Sequence, residues 1–311
     1  MRFLFCLLFI SIQSFSQQRK LVLVDAVSLD PVPYASLFYT RLNVGFYTDS
    51  DGTFEINNEN KNQETLLISC MGYKSAIIDL NNFVKDTIFL TPQIEYLKEV
   101  TVMPQNAKTR FVGYGKKTKK ISWPLRRGNQ IGALMRLSGY ERGNHVKIKA
   151  IQIPVNKRDR FYEGKDNLNN QNINTIIKVN LYTINDNKPS ETMLEKPIII
   201  NFNQNSSDVI SIDLTGKNIF FSKDGIYLAI EMVGDPTYLK SIQKADKLFL
   251  LPRIGITNKP NKDIISVTYQ KSIFTENWEI FDFEKLSLNS VGIKNIDFKV
   301  VIGMQIETIN E

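Results

Sequence analysis

The chain has 311 residues, a formal net charge of +7 and a single histidine, His145. Its two cysteines are Cys6 and Cys70, and only Cys70 follows the leader described below. These counts exclude an intramolecular disulfide in the mature chain and any zinc site built from paired cysteines and histidines. The 37 isoleucines against 8 alanines favour strands, because β-branched side chains lose rotamer freedom in helices.

Residues 1–16 have the pattern of a signal peptide. Arg2 is a short basic start, Phe3 to Ile10 form an apolar core, and Ser14 and Ser16 are small residues at a plausible cleavage site. The apolar run is shorter than the roughly 20 residues that a membrane helix needs. We therefore expect an exported protein without a membrane span, located in the periplasm, at the outer membrane or outside the cell.

Seven short apolar runs follow, separated by turn-forming residues. They are 21–27, 34–40, 44–49, 53–57, 65–70, 74–80 and 86–90. Strands at this spacing are typical of a β-sandwich. Cys70 shares the two-residue period of Leu66 and Ile68, which predicts a buried thiol that packs as a small apolar group.

The segment Asp49-Ser50-Asp51-Gly52 lies between two of these runs and predicts a hairpin turn. Clustered carboxylates on a tight turn also resemble the start of a calcium loop. The bidentate glutamate that would complete such a loop is missing, so the sequence favours the turn.

The first block resembles the carboxypeptidase regulatory-like domain, a transthyretin-like sandwich common in exported proteins of Bacteroidetes type. Four segments carry the resemblance: VDAVSLDPVPYASLFY, TDSDGTFEI, LLISCMGYKS and DTIFLTPQIEYLKEVTV. The resemblance covers residues 20–103 and implies a seven-stranded, transthyretin-like sandwich. Cys70-Met71 stands where the family usually has an aromatic and an aliphatic residue, which predicts a variation in packing.

Residues 103–140 contain nine basic side chains and no acidic one. Glycines at 113 and 115 and a proline at 124 disfavour a helix in the first part. We predict a linker over 104–122 that joins two independently folded sandwiches. Export argues against a nucleic-acid partner, and contact with an anionic surface through residues 108–127 is the alternative to a solvated linker.

The rest of the chain, 123–311, is again rich in strands and predicts a larger sandwich of jelly-roll type. The predicted strands are 129–137, 145–153, 175–184, 197–202, 208–214, 225–233, 248–256, 263–269, 278–283 and 296–306. Only 237–246 has a helical pattern. Residues 177–235 resemble a jelly-roll, carbohydrate-binding-like module that often follows the regulatory-like domain.

No catalytic, metal-binding or cofactor-binding residues are predicted. His145 opens a strand and is expected at a surface or sheet edge, and no nucleophile elbow occurs anywhere in the chain. The acids Glu279, Asp282 and Glu284 are the alternative that a carboxylate-dependent glycan hydrolase would need. Trp123 and Trp278 are expected in the core or at its rim, with sugar stacking as the alternative.

The predicted function is that of a non-catalytic exported envelope protein that binds a glycan or another envelope protein. The polar loop 164–174 could hydrogen-bond sugar hydroxyls; its candidate ligand residues, with the two aromatics before it, are Phe161, Tyr162, Asn167, Asn169 and Asn170. The regulatory-like domain also precedes TonB-dependent receptors, and LKEVTVMP (97–104) resembles the start of their plug. An accessory role in such an uptake system is therefore a further alternative.

Overall fold

The computed structural model describes residues 19–56, 65–93, 107–115, 121–140, 145–157, 173–236, 243–244, 250–272, 277–281 and 298–309. Within these ranges the chain forms strands and turns and has no α-helix, which confirms the all-β class. In the same ranges no helix has the length and apolar character to cross a bilayer. The leader predicted over 1–16 lies outside the described residues.

The N-terminal sandwich contains the seven predicted strands. They are β1 (Arg19–Asp25), β2 (Ser36–Tyr39), β3 (Val44–Tyr47), β4 (Thr53–Ile56), β5 (Thr65–Ser69), β6 (Ala76–Asp79) and β7 (Thr87–Leu90). One sheet has the order β4-β1-β7, and strands β3-β2-β5-β6 are neighbours in the other. Alternate apolar residues of both sheets, among them Leu23, Leu37 and Ile68, fill the core between them.

An eighth strand, β17 (Gln243–Lys244), joins this sandwich from much later in the chain. It pairs antiparallel with β3, so that Gln243 lies opposite Gly45 and Lys244 opposite Val44. The helix predicted over 237–246 is therefore wrong at these two residues. Their backbone instead extends the five-stranded sheet β17-β3-β2-β5-β6.

The larger sandwich consists of two seven-stranded sheets, which confirms a second β-sandwich. Its strands are β8 (Lys108–Gly113), β9 (Ile121–Arg126), β10 (Asn129–Leu137), β11 (His145–Asn156), β12 (Asn174–Asn185), β13 (Lys188–Thr192), β14 (Ile198–Asn203), β15 (Val209–Asp213), β16 (Ile226–Gly234), β18 (Leu250–Thr257), β19 (Ile264–Ser272), β20 (Glu279–Ile280), β21 (Lys299–Val300) and β22 (Gly303–Ile309). One sheet runs β13-β12-β16-β10-β19-β20 with β14 beside β12. The other runs β21-β18-β11-β22-β8 with β15 beside β11 and β9 beside β18.

The linker predicted over 104–122 differs from the structure. Strand β8 lies within it and pairs antiparallel with β22, from Lys108 opposite Thr308 to Gly113 opposite Gly303. Val112 of β8 is buried in the core of the larger sandwich. Strand β9 also begins before residue 123, so part of the predicted linker belongs to the second sandwich.

The turn at Gly52 agrees with the predicted hairpin. Gly52 has a φ of +68°, and a Cβ at this position would lie 2.8 Å from the carbonyl oxygen of Leu23. The Asp49 carboxylate accepts hydrogen bonds from the backbone N–H and the hydroxyl of Thr53, at 2.8 and 2.6 Å. The carboxylate thus closes the turn, and no cluster of three or more metal-ligating side chains occurs in the part of the chain that the structure describes.

Candidate functional site

The structure describes some of the candidate residues identified from the sequence, and others lie outside the described ranges. Phe161, Tyr162, Asn167, Asn169 and Asn170 lie outside the described residues, so their role as sugar ligands stays a prediction. The same holds for Asp282 and Glu284, whereas their neighbour Glu279 is exposed on β20. Because only Glu279 of these three acids is described, the alternative of a carboxylate-dependent hydrolase stays a prediction.

His145 starts β11 opposite Ile309 of β22. Its ring meets the ring of Phe220 edge-on, with centroids 6.3 Å apart. The histidine is half-buried at the first residue of β11, which lies between β18 and β22, whereas the sequence predicts a surface or sheet-edge position.

Cys70 is buried in the N-terminal core, as its alternation with Leu66 and Ile68 predicts. Its Sγ also lies 3.7 Å from the Nζ of Lys178 on β12, a contact that the alternation of apolar residues does not predict. Burial raises the pKa of the Cys70 thiol, and nearby Lys178 offsets only part of this effect.

Lys178 belongs to a row of polar side chains on the outer face of the β12-β16-β10 sheet. Strand register places Lys178 opposite Glu231, and Glu231 opposite Gln130. The inner face of the same strands carries the apolar core, including Ile177 and Ile230. An outer face with charged residues would ordinarily be solvated, but here the N-terminal sandwich covers it.

The interdomain polar cluster, which consists of Tyr47, Gln130, Lys178 and Glu231, lies at this contact. Lys178 and Glu231 form an ion pair of 3.2 Å with side-chain exposures of 0% and 1%. The Tyr47 hydroxyl donates to one carboxylate oxygen of Glu231 at 3.1 Å, and the Gln130 amide donates to the other at 3.3 Å. Burial disfavours the ammonium, yet the pKa of Lys178 is raised because Cys70 and Glu231 lie beside it.

A strained backbone supplies the third partner of the ammonium. Tyr34 has a φ of 53°, a left-handed conformation that bulky side chains rarely adopt. Its carbonyl oxygen accepts a hydrogen bond from Lys178 Nζ at 2.8 Å. Its ring packs against the cluster of Tyr47, Ile176 and Val233, which holds the loop in this conformation.

Arg127 occupies the same contact and corrects part of the prediction that the basic residues 108–127 contact an anionic surface. Its guanidinium lies 5.4 Å from the ring centre of Tyr47, and the residue is only 3% exposed. A cation–π contact of this kind stabilises the packing of the two sandwiches. Lys108 and Arg110 are exposed on β8, with Arg110 3.9 Å from Asp263.

An aromatic cluster continues the contact beyond the charges. Met71 packs with Leu134, Tyr182, Tyr227 and Tyr269 of the larger sandwich. The unusual Cys70-Met71 pair therefore lies at the domain contact, where both side chains meet residues of the second sandwich. In the same cluster Trp278 meets Tyr227 edge-on, with ring centres 4.9 Å apart.

Trp123 packs in the same way against Phe281, at 5.2 Å. The two tryptophans are therefore engaged in packing, which favours the expected core or rim role over sugar stacking.

Backbone and surface contacts complete the interface at its rim. The Gln93 carbonyl accepts from the Thr192 N–H at 3.1 Å, and the Gln93 amide donates to the Ser190 carbonyl at 3.2 Å. Lys196 and Asp30 form a half-exposed ion pair of 2.6 Å. The two sandwiches, expected to be independent, are thus joined by main-chain, apolar and ionic contacts.

These features define an all-β protein of two β-sandwiches that pack across a buried polar cluster. Residues 22–102 match the model of a family described as the CarboxypepD_reg-like domain, a regulatory and non-catalytic domain. The match spans 81 of the 311 residues and confirms the resemblance of the N-terminal sandwich. It does not extend to the jelly-roll companion module.

No curated protein matches the chain. Two solved structures, of the Gt and Gx strains of infectious bursal disease virus, share 8% and 7% sequence identity with it. The alignments cover 90% and 89% of this chain and 60% and 64% of the viral chains, with TM-scores of 0.24 and 0.23. Scores this low carry no argument about fold or function.

Proposed function

We propose that the protein is a non-catalytic, exported cell-envelope protein that acts by binding a glycan or an envelope protein through its larger sandwich. The observation that carries this proposal is that the buried charges Lys178 and Glu231 lie at the contact between the two domains and not in a ligand site. Lys178 and Glu231 face each other and the N-terminal domain, so these charges fix the two domains together. A regulatory-like domain held in this way is suited to support a binding domain.

The chemistry of the only described thiol and of the histidine supports the same proposal. A catalytic cysteine needs a lowered pKa and access to substrate, whereas Cys70 is buried with a raised pKa. His145 lies against Phe220 and belongs to β11 of the larger sandwich, while Cys70 belongs to the core of the N-terminal one. A Cys–His pair of the kind used in nucleophilic catalysis is therefore not favoured.

Location outside the cytoplasm rests on the pattern of residues 1–16 and on the match of residues 22–102. The proposed site of action is the periplasm, the outer-membrane surface or the exterior. Cell fractionation of a strain that expresses a C-terminally tagged full-length chain tests it. Recovery of a chain with an intact leader in the cytoplasm would contradict export.

The test of the non-catalytic role uses the purified mature chain with a panel of glycosidase and esterase substrates. We expect no turnover above the buffer blank. A parallel capture experiment exposes the same protein to immobilised polysaccharides and to detergent-solubilised envelope proteins, and we expect retention of one partner class. Turnover that stays with the protein through two different chromatographic steps would overturn the proposal.

A further inference from the structure

The outer face of the sheet β21-β18-β11-β22-β8 brings an exposed phenylalanine close to two glutamines and two small residues. Antiparallel register places Gly303 of β22 beside Gln152 of β11, and Gln305 beside Ala150. Phe111 of β8 lies opposite Gln305 on the other side. The inner faces of the same strands are apolar, with Ile151 and Met304 in the core among others, so these outer residues face away from it.

Small residues form the floor of this face. Gly303 is buried beneath the Phe111 ring, and the half-buried Ala150 lies opposite Gln305. Gln152 and Gln305 flank this floor, and neither side-chain amide has a hydrogen-bond partner within the described ranges. Each amide offers both a donor and an acceptor, the combination that a sugar hydroxyl satisfies.

Phe111 supplies an aromatic surface at the edge of the same face. It is 45% exposed, although it belongs to a paired strand. Its Cε2 atom lies 3.0 Å from the point that a Cβ on residue 303 would occupy, so the ring leans over Gly303. A side chain at position 303 would displace the ring, and glycine therefore holds the aromatic surface over the floor.

The charges beside this surface balance one another. Lys149 and Glu307 form an ion pair of 3.5 Å, and Lys147 donates to Asn218 at 2.9 Å. Asp213, opposite Ala150 on β15, has a lowered pKa because it accepts hydrogen bonds from Thr215. Two cations and two carboxylates give no net charge, which favours an uncharged ligand over an anionic one.

We propose that this surface, the glycan face formed by Phe111, Ala150, Gln152, Gly303 and Gln305, binds a neutral glycan chain. The Phe111 ring stacks against the apolar face of a sugar ring. The amides of Gln152 and Gln305 hydrogen-bond the sugar hydroxyls, and the buried Gly303 lets the Phe111 ring lie close to the sheet with its other face exposed. The inference rests on the proposed binding function and gives it a site and a ligand class.

The experiment is affinity electrophoresis of the full mature chain in native gels that contain a mannan, a β-glucan, a xylan or polygalacturonate. We expect retardation by at least one neutral polysaccharide, unchanged when salt is raised to about 0.5 M, because no charge pair carries the binding. Phe111→Ala and the double variant Gln152→Ala/Gln305→Ala should each weaken binding on the order of tenfold. Phe89→Ala is the matched control, since Phe89 is a 54% exposed phenylalanine on the N-terminal sandwich.

Three outcomes would overturn the glycan face. They are no retardation by any neutral polysaccharide, salt-sensitive retardation by polygalacturonate alone, and equal binding of the Phe111→Ala and Phe89→Ala variants. The glutamine variant keeps the test valid if Phe111→Ala fails to fold, which thermal melts report. None of these outcomes refutes a binding role elsewhere, whereas release of reducing ends from the gel polysaccharide would refute the non-catalytic function itself.

Discussion

Replacement of Lys178 by methionine tests the structural role of the interdomain polar cluster. The change keeps an unbranched apolar chain of similar length but removes the ammonium. Glu231, which is 1% exposed, would then lose its ion pair and keep only the hydrogen bonds from Tyr47 and Gln130. The Tyr34 carbonyl would lose its bond from Lys178 as well.

The expected loss follows from the burial of both partners. Removal of one member of a buried ion pair leaves an uncompensated charge, which costs about 3–5 kcal/mol in free energy of unfolding. A double variant, Lys178→Met/Glu231→Leu, leaves no charge unpaired and should recover part of that loss. The ion pair therefore matters less for its net stabilisation than for the requirement that both charges stay together.

Urea unfolding of the full chain, followed by tryptophan fluorescence and far-UV circular dichroism, measures these effects. Lys196→Met is the matched control, because it removes another lysine from the same domain contact whose ion pair with Asp30 is half-exposed. We expect a far smaller loss there, since exposed pairs are screened by solvent. If Lys178→Met costs no more than Lys196→Met, the buried cluster does not stabilise the interface as argued.

Three further predictions follow from the described contacts. Gly52→Val should lower the free energy of unfolding by about 1–3 kcal/mol and His145→Ala by less, because Gly52, unlike His145, has a left-handed φ and backbone atoms close to the position of a Cβ; thermal melts with the reverse order would contradict this. A fragment 107–311 should be more soluble and melt higher than 121–311 because it retains β8, and equal melting temperatures would show that β8 is dispensable. Stability should fall as the pH rises above about 9, because the thiol of Cys70 has a folded pKa above its ordinary value of 9.0 and ionises first in the unfolded chain. Unfolding in urea at about pH 8 and pH 10 measures this loss. If a Cys70→Ala variant loses as much free energy of unfolding between these pH values as the unaltered chain, the thiol is not the cause.

Most of the strands could be predicted from the sequence because each has one apolar face. Strand β8 could not, since four of its six residues are exposed and three of those are polar. Its pairing with β22 depends on backbone hydrogen bonds, which leave no pattern in the side chains. Strand β17 has only two residues, too few for any period to be visible.

The interdomain polar cluster could not be predicted from the sequence for a different reason. Lys178 alternates with apolar residues in β12, a pattern that indicates a solvent-facing side chain. Lys178 is buried because the N-terminal sandwich packs on this face, where Tyr47 of β3 contacts Glu231. Arg127 lies in a basic stretch and had the pattern of a solvated residue for the same reason. The alternation of apolar and polar residues along a strand predicts which face packs in its own sandwich. It does not predict that the opposite face packs against another domain.

The pairing of β8 with β22 has a consequence for the order in which the chain folds. Lys108 meets Thr308 only after about 200 further residues have been synthesised. The seven strands of the N-terminal sandwich are complete by Leu90 and can pair early. The larger sandwich must wait for its last strand, and contacts of such long sequence separation form slowly. A chain that stops before Gly303 would leave β8 and one edge of β11 without their neighbour, and these open edges would favour aggregation.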